Sequence, residues 1–327
     1  MSGLLLVTFT AIALVIAVIW LGSSRFIIPK RRALEPRHRE LLANPAEFGL
    51  SLEPIELQSC DGFTLQGIIA TRSLTPGRAV RTRAMQQRLN AQHIPTPAKP
   101  RGTIFLLHGR GGRKEDMLSI AQRLVAADFR CVVYDARAHG TSKGKYCTFG
   151  TKEVPDLESA ITQIESHLEE KGESSGPVAL FGNSLGAAVS IQSLALEEPP
   201  FAVFAAAPFA NLPEIVIRSG RRMIHPKLPD WVTLCSMKTG AWRAGFDPFH
   251  ILPETIVKKS GTPLFVTHGS RDGVIPLEHG RRIYEGAATL HKVWREFPDA
   301  FHNDVLAVGG DDLYEEMVMF YLRHLPR

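Results

Sequence analysis

Short apolar runs alternate with longer amphipathic segments over most of this chain. Eight runs have the length and the β-branched or aromatic content of strands: 55–59, 64–70, 103–107, 130–134, 178–181, 202–206, 264–267 and 292–297. Helical periodicity is found between the later runs, at 114–127, 154–170, 184–196, 277–286 and 304–324. The first two strands are joined by four residues only and indicate a hairpin. The pattern predicts an α/β fold with a mainly parallel, eight-stranded sheet flanked by helices.

Two segments interrupt this alternation. Residues 208–256 are rich in proline, tryptophan and basic residues, and we expect them to form a helical excursion above the sheet. Residues 72–101 hold seven basic residues and no acidic residue, and prolines lie near both ends of this segment. Two interpretations of this basic insertion stay open: a solvated loop, or a surface that lies against anionic lipid headgroups.

The amino-terminal residues 3–22 carry no charge and are long enough to cross a bilayer as a helix. The length of this run, the lack of preceding basic side chains and the lack of a cleavage site favour a retained transmembrane anchor over a signal peptide. Arg25, Lys30, Arg31 and Arg32 follow the run, so the positive-inside rule places the remainder of a single-pass membrane protein in the cytoplasm. We expect a juxtamembrane segment at 23–50 and one large domain at 51–327.

The composition of the chain excludes several classes of protein. The 327 residues are 44% hydrophobic and 22% charged, which is ordinary for a globular protein, and one stretch alone is long enough to cross a membrane. The four scattered cysteines form no C-x-x-C pair, so we expect free thiols rather than a disulfide scaffold or a zinc site. The net charge of +5 is concentrated locally, and no nucleic-acid-binding motif accompanies it. The sequence implies no metal, no organic cofactor and no nucleic acid, and it leaves the oligomeric state unknown.

The strongest chemical signal is G-x-S-x-G at 182–186, which follows a strand and opens a helix. Such a sharp turn presents the serine hydroxyl above the carboxyl ends of the strands, and it requires glycine two positions on either side. Ser184 is therefore the candidate nucleophile. A plain turn in which the serine caps the helix is the alternative.

A serine nucleophile requires a histidine base and a carboxylate that orients it, in the order serine, acid, histidine. Asp272 follows the apolar strand that ends near residue 267, and His302 lies between the last strand and the last helix. Both positions are at the carboxyl edge of the predicted sheet, like Ser184. Asp299 and Asp304 are alternative acids, but Asp304 has the position of a helix-start residue.

Acyl transfer also requires donors for a developing oxyanion. His108–Gly112, with the sequence H-G-R-G-G, follows an apolar strand and predicts a turn whose amides point into the site. We expect the backbone N–H groups of Arg110 and Leu185 to form the oxyanion hole. A phosphate loop is the rival interpretation, but the spacing fits neither common phosphate-binding motif. His108 itself is expected to bond to neighbouring backbone.

Together these motifs, with D-x-R-x-H-G-x-S at 135–142, resemble the α/β-hydrolase superfamily from about residue 52 to residue 322. They are most similar to the branch that holds serine aminopeptidases, monoglyceride lipases and Bem46-related membrane-anchored hydrolases. The resemblance implies that Ser184, Asp272 and His302 form a catalytic triad and that 208–256 is a cap. It also implies that His139 and Ser142 brace the loop after the fourth strand.

The function expected from this resemblance is a membrane-anchored serine hydrolase. It would cleave an ester, thioester or amide of a small or lipid-like acyl substrate through an acyl-enzyme, with esterase or lipase-like activity. A catalytically silent, membrane-tethered adaptor and an acyltransferase are the alternatives. The side chains of Arg110 and Arg113 are either solvated or pair with a substrate carboxylate or phosphate.

Overall fold

The structure is a computed structural model that describes residues 2–75 and 77–326. Its strands are β1 (Leu50–Gln58), β2 (Thr64–Arg72), β3 (Thr103–Leu107), β4 (Arg130–Tyr134), β5 (Val178–Asn183), β6 (Val203–Ala206), β7 (Leu264–Gly269) and β8 (Lys292–Phe297). They form one sheet in the order β1-β2-β4-β3-β5-β6-β7-β8. The pairs β1–β2 and β2–β4 are antiparallel, whereas all pairs from β4 to β8 are parallel. The predicted mainly parallel, eight-stranded sheet is confirmed, with an antiparallel hairpin at one edge.

Eleven α-helices lie in the described residues: α1 (Ser2–Ile27), α2 (Pro36–Ala43), α3 (Val80–Ala91), α4 (Lys114–Leu124), α5 (Glu153–Glu170), α6 (Leu185–Gln192), α7 (Leu212–Met223), α8 (Asp230–Ala244), α9 (Pro253–Ile256), α10 (Leu277–Gly286) and α11 (Val305–His324). The predicted helical excursion at 208–256 contains α7, α8 and α9. We refer to this segment, to which the resemblance assigns the role of a cap, as the cap. The predicted helices at 114–127 and 184–196 each end in a short 3₁₀ turn.

Helices cover both faces of the sheet, which explains why β3, β4, β6 and β7 are buried at every position. In β3, Phe105 and Leu107 contribute to one core, and Ile104 and Leu106 contribute to the other. The first core is completed by α5, α6 and α10, and the second by α3, α4 and α11. Parallel strands between two helical layers bring the loops after β3, β5, β7 and β8 to one edge of the sheet.

The first helix has an exposed part and a packed part. The side chains of Val7, Phe9, Ile12, Leu14 and Ile16 are all more than half exposed. By length and composition, Val7–Ile27 is the one described helix that could cross a membrane, with a mean hydropathy of 2.1 over its most apolar window.

The packed part of α1 lies against α8 of the cap. A Cβ atom on Gly22 would lie 2.7 Å from Ser236 Oγ, and one on Gly240 would lie 2.9 Å from Ser23 O. These glycines therefore allow the two helices to approach closely. The Arg243 guanidinium lies 4.2 Å from the centre of the Trp20 ring and donates to the hydroxyls of Ser23 and Ser24. The end of α1 thus packs against the folded domain.

The basic insertion at 72–101 is not the solvated loop of the first interpretation. It contains α3, which buries Met85 and Leu89 in the second core. Arg72 pairs with Asp128 at 3.0 Å, and Arg88 pairs with Asp312 at 2.7 Å and with Glu315. Carboxylates of the domain itself bind these arginines, which favours a structural role for them over contact with lipid.

Candidate active site

Ser184 lies on a strained turn between β5 and α6. Its backbone has φ 55° and ψ −112°, a conformation that residues other than glycine rarely adopt. A Cβ atom on Gly182 would lie 2.3 Å from Gly186 O, and one on Gly186 would lie 2.1 Å from Leu107 O. The two glycines are therefore required by close approach of backbone to backbone, which is the physical basis of the G-x-S-x-G pattern.

The three residues predicted from separate loops lie in one hydrogen-bonded chain. Ser184 Oγ lies 2.9 Å from His302 Nε2, and His302 Nδ1 lies 2.6 Å from Asp272 Oδ2. Because the carboxylate accepts from Nδ1–H, the network leaves Nε2 as an acceptor that faces the serine hydroxyl. This is the arrangement that a general base requires.

Both alternative acids have other partners. Asp299 pairs with Arg271 at 3.0 Å. Asp304 accepts the Phe301 N–H at 2.6 Å and is the N-cap residue of α11. Of the three candidate carboxylates, Asp272 is the one that lies against the imidazole of His302.

Asp272 is held as a carboxylate. Its Oδ1 accepts the N–H groups of Val274 and Ile275, each at 2.8 Å, and its Oδ2 lies 3.2 Å from His268 Nε2. Burial alone would raise the pKa of Asp272, but the hydrogen bonds from His268 and His302 outweigh it and hold the pKa well below its usual range. The side chain therefore stays ionised at neutral pH.

Sequence reasoning missed the role of His268. This buried histidine also lies 2.9 Å from Ile275 O through the same Nε2, which makes Nε2 the protonated nitrogen, because a carbonyl only accepts. His268 thus donates towards the same carboxylate oxygen of Asp272 that His302 contacts. The signal available in the sequence was a histidine at the end of an apolar strand, four residues before the acid.

The glycine-rich turn after β3 borders the serine. Gly112 N–H donates to Gly109 O at 2.8 Å, and Gly111 has φ +73°, so Arg110 occupies the second position of a tight turn. A Cβ atom on Gly109 would lie 3.3 Å from the Cβ of Ser184. On the other side of the serine, Leu185 is the first residue of α6, where the amide has no acceptor within the helix. The two residues predicted to supply oxyanion donors therefore lie on the two segments that border Ser184.

Two buried histidines support this turn and the loop after β4. His108 Nε2 accepts the Ala136 N–H at 3.0 Å, and its Nδ1 lies 2.8 Å from Gly109 O. Burial lowers the pKa of His108, so the ring is neutral. The predicted bonding of His108 to neighbouring backbone is confirmed. His139 Nδ1 lies 2.8 Å from Arg137 O, and burial lowers the pKa of His139 to about 3.

Ser142, the second residue that the resemblance assigns to the loop after β4, also bonds to backbone. Its hydroxyl donates to Asp135 O at 2.5 Å and accepts the Gln66 N–H at 2.8 Å. These two bonds tie the loop to the neighbouring strand β2. Ser142 therefore has a bracing position, as the resemblance implies.

The side chains of Arg110 and Arg113 both bind other residues of the chain. Arg110 donates to backbone carbonyls at the end of α1, and Arg113 is buried against Glu115, with Nε 2.6 Å from Oε2. Arg113 is thus buried and bound within the chain, whereas Arg110 bonds through one guanidinium nitrogen and its side chain stays exposed. Among the described residues, no group of three or more His, Cys, Asp and Glu side chains is arranged to hold a metal ion.

Comparison with known proteins finds hydrolases among the relatives of this chain. Residues 98–240 match the family profile described as serine aminopeptidase, S33. The lysophosphatidylserine lipase ABHD12 of Macaca fascicularis is 26% identical over 70% of this chain, which covers 55% of that protein's length. Protein bem46 of Schizosaccharomyces pombe is 22% identical over 86% of this chain and 80% of its own.

A solved structure shares the fold. The Pyrococcus furiosus esterase Pf2001 superposes with a TM-score of 0.66 at 20% identity, and the match covers 91% of this chain and all of the esterase. At that identity the likeness establishes the fold, and the sequence matches indicate the branch. Its sheet order and serine turn are those of the α/β-hydrolase fold, and its sequence is similar to the S33 family and to proteins of the Bem46-like branch.

Proposed function

We propose that this protein is a membrane-anchored serine hydrolase with Ser184, His302 and Asp272 as its catalytic triad. The observation that carries the proposal is the chain of hydrogen bonds at 2.9 Å and 2.6 Å that joins these side chains at the carboxyl edge of the sheet. The proposed organisation is an anchor at 3–22, a connecting segment at 23–50 and a hydrolase domain at 51–327.

In the proposed reaction, Ser184 Oγ attacks the carbonyl carbon of an ester, thioester or amide while its proton passes to His302 Nε2. The carboxylate of Asp272 holds the imidazole through Nδ1 and stabilises the imidazolium that forms. His302 then gives the proton to the leaving group, and an acyl-enzyme remains on Ser184. Water, deprotonated by His302, releases the acid and restores the serine.

The negative charge that develops on the carbonyl oxygen is assigned to the backbone N–H groups of Arg110 and Leu185. Each such donor contributes about 3 kcal/mol to transition-state stability in serine hydrolases. The Leu185 amide has the additional advantage of the amino-terminal end of α6, where the helix dipole favours negative charge.

We assign the substrate to lipid-like or other small acyl compounds. Two features support this class: the apolar helix at the amino terminus, and Trp242, which is 78% exposed on the cap helix α8 against which that helix packs. Among the relatives, ABHD12 is named a lysophosphatidylserine lipase and Pf2001 an esterase. Four basic residues at 25–32 place the domain on the cytoplasmic side in this proposal.

Covalent labelling tests the nucleophile. Full-length protein in detergent is treated with a fluorophosphonate probe beside Ser184→Ala and Ser190→Ala. Ser190 is a matched control because it lies on the same helix, with its hydroxyl bonded to Gly186 O at 2.9 Å. We expect the wild type and Ser190→Ala to be labelled, and Ser184→Ala to lose labelling and at least about a thousandfold in ester hydrolysis.

Absence of labelling in the wild type would favour the catalytically silent adaptor. If the wild type is labelled, a series of p-nitrophenyl esters tests the substrate class, and we expect longer acyl chains to be preferred. A preference for acetate over every longer chain would contradict a lipid-like substrate. Faster release of the phenol on adding an alcohol, with an acylated alcohol as product, would favour the acyltransferase alternative.

A further inference from the structure

The side chain of Arg110 leaves the oxyanion turn and reaches the end of α1. Its guanidinium donates to Arg25 O at 2.6 Å, Phe26 O at 3.0 Å and Ile28 O at 3.4 Å. The last carbonyls of a helix have no partner within it, and they carry the negative end of the helix dipole. Arg110 therefore caps the anchor helix with a permanent positive charge.

The segment after α1 returns these contacts. Arg32 Nε donates to Gly111 O at 2.9 Å, and an Arg113 side-chain nitrogen donates to Arg32 O at 2.9 Å. Bonds thus run in both directions between residues 25–32 and the turn at 109–113. We call this set of bonds made by Arg32, Arg110 and Arg113 the arginine clasp.

Apolar contacts also hold the end of α1 against the domain. The ring of Phe26 stacks on Phe149 with centroids 4.8 Å apart and lies 6.2 Å from Phe246 of the cap. Ile27 is fully buried, and its carbonyl accepts the Cys147 N–H at 2.8 Å. The end of α1 is therefore fitted between the oxyanion turn and the cap.

We propose that Arg110 is a positioning residue: by binding the end of α1 through its side chain, it fixes its own backbone N–H in the oxyanion hole. This inference rests on the proposed hydrolase function. The turn contains Gly109, Gly111 and Gly112, whose backbones are intrinsically permissive. An oxyanion donor is effective only when it is already aimed before reaction. The clasp supplies that order, which makes the end of the membrane anchor a structural part of the active site.

The test compares two arginines of the same junction in the full-length protein. Arg110→Met removes the bonds that the oxyanion turn makes to the carbonyls at the end of α1. Arg31→Met is the matched control, because Arg31 binds the carbonyls of Gly140 and Gly144 at 2.9 Å and 3.3 Å, in a different loop. Arg110→Lys keeps the charge, and Arg32→Met removes the reciprocal bond to Gly111 O while Arg110 stays in place.

We expect Arg110→Met to lower kcat about tenfold with KM changed less than about twofold, since a loosened donor loses part of the effect of a deleted one. Inhibition by a trifluoromethyl ketone, whose serine adduct carries an oxyanion, should weaken by a similar factor. Arg110→Lys should recover part of the loss, Arg32→Met should show a smaller fall in kcat, and Arg31→Met should resemble the wild type.

Equal kcat values in Arg110→Met and Arg31→Met would overturn the inference. So would a fall in kcat that only parallels a fall in melting temperature across all four variants, because that pattern indicates general destabilisation. If Arg110→Met does not fold, Arg32→Met decides by the same comparison. A wild type that neither hydrolyses esters nor reacts with the fluorophosphonate overturns the proposed function, and this inference with it, before any variant is compared.

Discussion

The two sides of the candidate site are held in place by different kinds of contact. On the nucleophile side, Gly182 and Gly186 bring backbone against backbone inside the closed core, where Ser184 N–H donates to Ala206 O at 2.8 Å. On the oxyanion side, a turn with three glycines is held by hydrogen bonds from arginine side chains to backbone carbonyls. These partners are distant in sequence: Arg110 and Phe26, for example, are 84 residues apart.

Because of this difference, mutations on the two sides of the site should affect the stability and the activity of the protein to different degrees. A change on the nucleophile side disturbs tightly packed backbone and should lower the free energy of unfolding together with turnover. A change in the arginine clasp removes side-chain hydrogen bonds at the surface of the domain and should lower turnover first. The following predictions test that separation, beginning with the largest expected effect.

Gly182→Ala tests the nucleophile side. The added Cβ would lie 2.3 Å from Gly186 O and 2.5 Å from Ala187 Cα, so the backbone must shift. We expect the free energy of unfolding to fall by about 3 kcal/mol, in the range known for overpacked cores, as measured by urea denaturation. Gly261→Ala is the control, because its Cβ would point into open space, and we expect a change within about 0.5 kcal/mol. Equal stability of the two variants would contradict the packing argument.

Lowering the pH should reduce the stability that Asp272 contributes and leave the contribution of the arginine clasp unchanged. The folded pKa of Asp272 lies below its usual range, so its interactions contribute stability above the unfolded pKa of about 4. That contribution is lost as the pH falls below this value towards the folded pKa. The arginines of the clasp do not titrate in this range. Between pH 7 and pH 3, Asp272→Asn should therefore lose less stability than the wild type, as followed by urea denaturation at each pH. An equal loss would show that Asp272 does not contribute to the acid sensitivity.

Local patterns were enough to predict most of the sheet and the nucleophile side. The bounds of β3, β4, β8 and α10 agree with the prediction to the residue, because short runs of strand-forming residues and helical periodicity mark them locally. Ser184, Asp272 and His302 were placed at the same edge because parallel strands must bring their carboxyl ends together. Their hydrogen-bonded arrangement follows from that topology, whereas their catalytic roles stay predictions.

The contacts of the arginines could not be predicted, because their partners are distant in sequence. Arg88 of α3 pairs with Asp312, 224 residues away, and without that knowledge the insertion had the composition of a solvated or lipid-facing loop. Arg110 binds backbone carbonyls, which every residue carries and which leave no compositional signal. The role of His268 could not be predicted either, because it depends on the contacts of this side chain with Asp272 and Ile275 O.

Cys147 offers a local probe of the clasp. Its amide donates to Ile27 O, and its buried thiol has a raised pKa because of burial. Cys131 is equally buried in β4, in the other core, and its pKa is raised for the same reason. We expect iodoacetamide at pH 8, followed by peptide mass spectrometry, to modify Cys147 about tenfold faster in Arg110→Met than in the wild type. A hydrogen bond with a charged donor contributes about 1.5 kcal/mol or more to closing such a junction, which corresponds to that factor.

Cys131 should keep its slow rate. Equal acceleration at both cysteines would indicate global unfolding, and no acceleration at Cys147 would show that the junction stays closed without the clasp. Either result would remove the distinction between a side held by packed backbone and a side held by arginines.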